Sequence, residues 1–116
     1  MQPKNIHFFK NMEGMDFLRV LCNSRCLIGN SSVGVRECSY LGVPVVNIGS
    51  RQTGRDRGTN LVDVNYDRNE IVGAVKHHMG NGRYPHDTIY GDGRAGIRIS
   101  QVLAQAPLQI EKRLTY

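Results

Sequence analysis

The stretch Gly29-Asn30-Ser31-Ser32-Val33-Gly34-Val35-Arg36-Glu37, followed by Leu41-Gly42-Val43-Pro44-Val45-Val46-Asn47-Ile48-Gly49-Ser50-Arg51-Gln52, decides how this chain folds. Its first half reads as the end of a strand, a Gly/Ser turn and a short helix that carries a glutamate. Ser31 or Ser32 can cap that helix, which the spacing predicts over Val33 to Tyr40, with Gly42 as its stop. Val43 to Ile48 is nearly continuous β-branched sequence, as in a strand covered on both faces. Pro44 sits at its start, where a missing N–H is tolerated.

Elements of the same kind extend outward from this segment. Cys26-Leu27-Ile28-Gly29 is short, apolar and closed by glycine, which suits a buried strand. Met15 to Asn23 carries Phe17, Leu18 and Leu21 at helical spacing, with Asp16 near the start, and Asn5 to Phe9 is a short strand or an extended lead-in. Downstream, Gly49 to Asn60 is a polar loop with three glycines and three arginines, and Leu61 to Val64 is a third strand. Asn69 to Met79 is helical and is terminated by Gly80-Asn81-Gly82. An irregular connection over 83–93 ends in Tyr90-Gly91-Asp92-Gly93, where Asp92 reads as the N-cap of a last helix. That helix covers Ala95 to Ala106 with Ile97, Ile99, Val102 and Leu103 buried. Pro107 ends it and a polar tail follows. Strands alternating with helices over these distances predict an α/β fold with a Rossmann-like parallel sheet. Only three or four strands are visible, about half of a nucleotide-binding sheet.

Composition narrows the functional classes. The 116 residues are 40% apolar and 22% charged, with no tryptophan and a net charge of +5 from 15 Lys+Arg against 10 Asp+Glu. The basic residues are scattered, so a nucleic-acid stripe is not supported, whereas a local arginine cluster suits a phosphorylated small molecule. Cys22, Cys26 and Cys38 have no second ligand pair at zinc spacing and read as buried, reduced thiols rather than metal ligands. There is no basic n-region followed by an apolar h-region, and no apolar run approaches ~18 residues. A cytoplasmic, non-membrane protein is the expectation.

The chemistry-bearing residues fall at the carboxyl ends of the first two strands, where parallel α/β sheets bind ligands. Ser31 and Ser32 offer two hydroxyls and helix-start N–H groups to a phosphate, although an ordinary N-cap alone explains one serine. Glu37 can accept both hydroxyls of a ribose, or stand as a solvated carboxylate beside Arg36. Arg51, Arg55 and Arg57 offer bidentate donors to phosphate, Arg51 being nearest the strand end. As a plain surface loop they would be neutralised in part by Asp56. His77 and His78 lie beside Lys76 and read as a solvated face, and His86 follows Pro85 in a loop. None of the four histidines has a nucleophile or metal constellation around it in the sequence.

The three segments 29–37, 41–55 and Ile89-Tyr90-Gly91-Asp92-Gly93, in this order and spacing, resemble the hydrolysing UDP-N-acetylglucosamine 2-epimerases. The likeness runs over nearly the whole chain and is greatest to the branch of sialic acid biosynthesis, including the epimerase part of the bifunctional epimerase/kinase. That family has two Rossmann-like domains with the active site between them, as in GT-B glycosyltransferases. The resemblance implies that residues 1–106 are the C-terminal, UDP-binding domain, with 107–116 a polar tail. It matches Ser31 and Ser32 to diphosphate-binding serines, Glu37 to the ribose-binding carboxylate and Arg51 to a UDP-binding arginine. Met12 falls where the family's backbone contacts uracil, with a side chain that differs from the usual one. Lys10 matches a lysine that helps bind the feedback inhibitor CMP-sialic acid, while Asn11 replaces the histidine usual in that branch.

The implied substrate is UDP-GlcNAc, converted to N-acetylmannosamine and UDP with no cofactor and no metal. The family's acid/base carboxylates and histidine belong mainly to the N-terminal domain, so no catalytic residue is expected here. The implied partners are that N-terminal epimerase domain and further copies of the chain as a homo-oligomer. Rival readings are the C-terminal half of a UDP-sugar glycosyltransferase, or a truncated, non-catalytic nucleotide-binding or interaction domain.

Overall fold

The computed structural model describes residues 4–107, so the polar tail lies almost wholly outside the described residues. Its elements run α1 (Gly14–Asn23), β1 (Leu27–Gly29), α2 (Ser32–Val35), α3 (Glu37–Leu41), β2 (Val45–Ile48), β3 (Leu61–Val64), α4 (Arg68–Asn81) and α5 (Ala95–Gln105). The strands form one sheet in the order β1-β2-β3. Both pairings are parallel, with Leu27 opposite Val45 and Val45 opposite Leu61. This is the Rossmann-like α/β arrangement that the strand–helix alternation predicts.

β2 is the centre because its sequence permits nothing else. Val45 and Val46 point to opposite faces of the sheet, and both are buried, as are Val43 and Asn47. Each fully buried valine contributes about 1.5–3 kcal/mol relative to an exposed one. On one side Leu21, Cys38, Val43 and Val45 form the core, with Leu18, Leu27, Val33, Leu41 and Leu61 packed against it. Gly34 lets α2 come this close, since a Cβ there would sit 2.9 Å from Cγ1 of Val45. α4 packs on β2 and β3.

Caps set the element boundaries. Glu13 accepts the N–H groups of Met15 and Asp16 at the start of α1, and Asp67 accepts that of Glu70 at the start of α4. Gly42 closes α3 in the left-handed conformation, φ 67° and ψ 23°. A Cβ at Gly42 would collide with the carbonyl oxygen of Tyr84, whose own N–H donates to the Gly42 carbonyl at 3.0 Å. Only glycine satisfies both demands.

Four expectations are corrected. The helix predicted over Val33 to Tyr40 is two short helices that meet at Arg36, φ −96° and ψ −74°. Gly34 between two β-branched valines is a weak helix former, and the break turns Cys38 and Ser39 into the core. Of the two readings of Asn5 to Phe9, the strand is the one not found: no neighbouring strand pairs with it among the described residues, and the segment is an exposed lead-in with Ile6, Phe8 and Phe9 uncovered. Asp92 is not the N-cap of α5. The cap position is Arg94, and Asp92 stands two residues earlier, accepting the Arg94 N–H at 3.0 Å and pairing with the Arg98 guanidinium.

His78 belongs to no solvated face; it is fully buried. It follows Ala74 by one helical turn on the face of α4 that packs on the sheet, and both of its ring nitrogens are satisfied there. Finally, Ile97, Ile99, Val102 and Leu103 are exposed at 60%, 58%, 64% and 61%. Their helix exists as predicted, but α5 packs closely on no other helix or strand of the described residues. The helical period was legible, whereas a covering surface is absent from this part of the molecule.

Candidate functional site

Three loops converge at the carboxyl ends of β1 and β2. The turn after β1 carries Asn30, Ser31 and Ser32. Ser31 caps α2, its Oγ accepting the N–H of Val33 at 3.3 Å, and Ser32 is the first residue of that helix. α2 is only one turn long, so its macrodipole is small. The pull on an anion therefore comes from the hydroxyls, the free N–H groups and neighbouring cations.

Arg51 supplies such a cation. Its exposed guanidinium has Nη1 3.4 Å from Oδ1 of Asn30, the residue before Ser31. The next residue, Gln52, is buried and donates from Nε2 to the Asn30 carbonyl at 2.8 Å. The arginine loop is thus moored to the serine turn through Asn30, the residue before Ser31.

The other two arginines of the loop have separate situations. Arg57 is committed to Asp63, with Nε 2.6 Å from Oδ2 and Nη2 3.2 Å from Oδ1. Asp63 also accepts from Nδ2 of buried Asn47 at 2.6 Å. The Arg57 hydrogen bonds, aided by Asn47, hold the Asp63 carboxyl below the usual carboxylate range. Partial neutralisation of the loop thus comes from Asp63 on β3, not from Asp56. Arg55 is exposed and gives its carbonyl to Nη1 of Arg57 at 2.6 Å.

Glu37 stands apart from the serines in the first turn of α3. Its Oε2 is buried and has no hydrogen-bond partner among the described residues. An unpartnered carboxylate oxygen is costly unless something supplies a donor. It lines a cavity of about 330 Å³ together with Leu18, Arg36, Tyr40, Asp87 and Tyr90. Ser31, Ser32, Arg51 and Met12 are not among the residues that line it. Met12 is half-buried just ahead of α1, the helix that gives Leu18 to that cavity, and Lys10 is exposed in the irregular segment before it.

The predicted set therefore resolves into two neighbouring parts. One is polar, at Asn30 to Ser32 and Arg51; the other is a largely apolar cavity beside Glu37. Two of its walls, Asp87 and Tyr90, come from the irregular connection over 83–93, which sequence reasoning left without a role. Tyr90 donates from its hydroxyl to the Asp56 carbonyl at 2.6 Å, so this connection also braces the arginine loop. The sole sequence signal was the Tyr90-Gly91-Asp92-Gly93 run, whose aromatic residue precedes two turn-forming glycines.

The three cysteines are free thiols. Cys38 is buried, and Cys22 and Cys26 are half-buried. Burial pushes the Cys38 thiol up to about 12, which keeps it protonated and unreactive. Among the described residues no group of three His, Cys, Asp or Glu side chains converges on a point where a metal ion would sit. No described helix is long and apolar enough to cross a membrane.

Comparison with known proteins supplies the context of this arrangement. The sequence pattern of the UDP-N-acetylglucosamine 2-epimerase family matches residues 1–104. A Legionella pneumophila UDP-N,N'-diacetylbacillosamine 2-epimerase (hydrolyzing) is 32% identical over 104 residues, 90% of this chain and 28% of the relative. A Neisseria meningitidis UDP-N-acetylglucosamine 2-epimerase is 31% identical over 77 residues, 66% of this chain and 20% of the relative. The Escherichia coli polysialic acid biosynthesis protein P7 is 45% identical over 60 residues, 52% of this chain and 15% of the relative. The chain thus spans less than a third of the length of each of these proteins.

Proposed function

Because the chain belongs to the UDP-N-acetylglucosamine 2-epimerase family, we propose that it is the UDP-binding part of a hydrolysing enzyme that converts UDP-N-acetylglucosamine to N-acetylmannosamine and UDP. The observation that carries the reading is the buried Oε2 of Glu37, without a hydrogen-bond partner among the described residues, on a residue that lines a cavity with Leu18 and Tyr40. A ribose presents two adjacent hydroxyl donors, which match the two oxygens of one carboxylate. Leu18 and Tyr40 give that cavity the apolar surface that a nucleoside requires. The diphosphate then extends to Ser31, Ser32 and Arg51, and the backbone near Met12 meets the uracil.

In this reading the chain's residues serve the leaving group. Elimination across C1–C2 of the sugar removes the C2 proton and breaks the bond from C1 to the diphosphate oxygen. Negative charge develops on UDP as that bond lengthens, and Arg51 with the two serine hydroxyls stabilises it in place. Water then adds to the 2-acetamidoglucal to give N-acetylmannosamine. The groups that move protons belong to an N-terminal domain, which would meet residues 1–106 across a GT-B-type cleft and cover the apolar stripe of α5. The setting is cytoplasmic, and the complete enzyme is a homo-oligomer.

The test is calorimetric titration of UDP into the 116-residue chain, with Glu37→Ala and Arg51→Ala alongside. Binding that both substitutions weaken by ~10-fold or more supports the assignment, each loss corresponding to ~1.4 kcal/mol. Binding that neither substitution changes would place the nucleotide elsewhere.

A further inference from the structure

Gln52 has no part in the ligand contacts assigned above, yet it is 3% exposed on a polar loop. Its Nε2 donates to the Asn30 carbonyl at 2.8 Å while its neighbour Arg51 reaches Asn30 Oδ1 at 3.4 Å. Two consecutive residues of one loop therefore grip both the backbone and the side chain of a single residue in the other. The Oε1 of Gln52 is buried without a partner among the described residues. Leaving an amide oxygen unsatisfied works against stability, and packing alone at this place would be served as well by an apolar side chain of the same length.

We propose that Gln52 is a positioning residue that sets the spacing between Arg51 and the Ser31–Ser32 hydroxyls, so that the pair is preformed for a diphosphate. The inference rests on the reading of those three residues as phosphate ligands. An exposed arginine on a glycine-containing loop samples many positions, and each must be given up when an anion binds. Anchoring the backbone of its neighbour removes that cost before the ligand arrives. Gln52 itself touches no ligand; it acts through Arg51.

The experiment titrates UDP and uridine calorimetrically into the 116-residue chain and into Gln52→Met, Arg51→Ala and the double variant. Amide exchange at Ser31 to Val33 is followed without ligand. Gln52→Met keeps the length and removes the donor. The expected result is a ~10-fold loss of UDP affinity, a change below ~2-fold for uridine, and no further loss when Gln52→Met is added to Arg51→Ala. Exchange at Ser31 to Val33 is expected to quicken in Gln52→Met.

Equal losses for UDP and uridine, losses that add in the double variant, or unchanged exchange would each overturn the proposal while the nucleotide reading stands. A parent chain that binds UDP no more tightly than uridine would overturn the phosphate reading, and this inference with it. Should Gln52→Met fail to fold, Gln52→Glu replaces the donor by a carboxylate oxygen facing the Asn30 carbonyl, and the same outcomes apply.

Discussion

Nε2 of His78 lies 2.9 Å from the carbonyl oxygen of Val45, joining α4 to the central strand by a side chain 33 residues away in sequence. A carbonyl oxygen only accepts, so Nε2 carries the proton. Nδ1 lies 3.1 Å from the Tyr84 hydroxyl. The histidine is thus bonded at both ring nitrogens inside the core.

Replacing it by alanine removes the ring's bonds to the Val45 carbonyl and the Tyr84 hydroxyl and opens a void. His78→Ala is expected to cost about 2–4 kcal/mol, as a cavity plus unmet hydrogen bonds. Urea unfolding followed by circular dichroism measures this. A loss below about 0.5 kcal/mol, the usual range for a surface substitution, would show that the buried pairing contributes little.

The Arg57–Asp63 pair predicts a pH dependence. Hydrogen bonding from Arg57, and then from Asn47, depresses the Asp63 pKa in the folded state. A depressed carboxylate stabilises the fold above its unfolded value of about 3.9, and this contribution disappears as pH falls through the lower folded value. Melting temperature is therefore expected to drop below about pH 4, and Asp63→Asn to show a shallower acid limb. Identical acid limbs for parent and variant would mean that solvent screening has removed the effect.

Two glycines are expected to respond to alanine with opposite signs. A Cβ at buried Gly58 would overlap the Ser39 hydroxyl and lie 2.6 Å from Oδ1 of Asn60. Overpacking of this kind costs about 1–3 kcal/mol. Gly73, inside α4, has open space around its missing Cβ. There alanine is expected to stabilise by about 0.5–1 kcal/mol through helix propensity and unfolded-state entropy. Paired denaturation curves test the two signs together, and a stabilised Gly58→Ala would mean that the loop yields easily.

Ile99, Val102 and Leu103, spaced i, i+3 and i+4 on one face of α5 and all exposed, predict self-association of the isolated chain. Contiguous apolar surface on one helix face seeks cover. Light scattering is expected to show a mass that grows with concentration, and Ile99→Glu with Leu103→Glu to return it to a monomer. A single monomeric species at high concentration in the parent chain would refute the expectation.

Much of the fold was legible because its punctuation is local. Gly29, Gly42 and Pro44 mark the strand and helix limits, and the valines of β2 announce a strand covered twice. The ends of β1 and β2 are fixed by the same signals, so the turn after β1 and the Arg51 loop were legible as neighbours. His78 was not, because its burial depends on Val45 and Tyr84, which helical periodicity cannot weigh. A polar residue beside Lys76 and His77 looks solvated until its partners are known. The burial expected for α5 failed differently: an apolar period reports that a helix face wants a partner, not where that partner comes from. Gln52 escaped notice because its role lies in a backbone carbonyl, which every residue has.

Gly42 carries a consequence for inheritance. Every amino-acid replacement there adds a Cβ, and that atom would meet the Tyr84 carbonyl while the backbone stayed left-handed. No amino-acid replacement there escapes the clash, and exchange at residue 84 offers no relief, since the obstructing atom is main-chain. Gly14 and Gly96 have empty space at the same atom. Lineages that carry this domain are thus free to drift at those two glycines, while the one behind α3 is held fixed by the shape of a peptide group elsewhere in the chain.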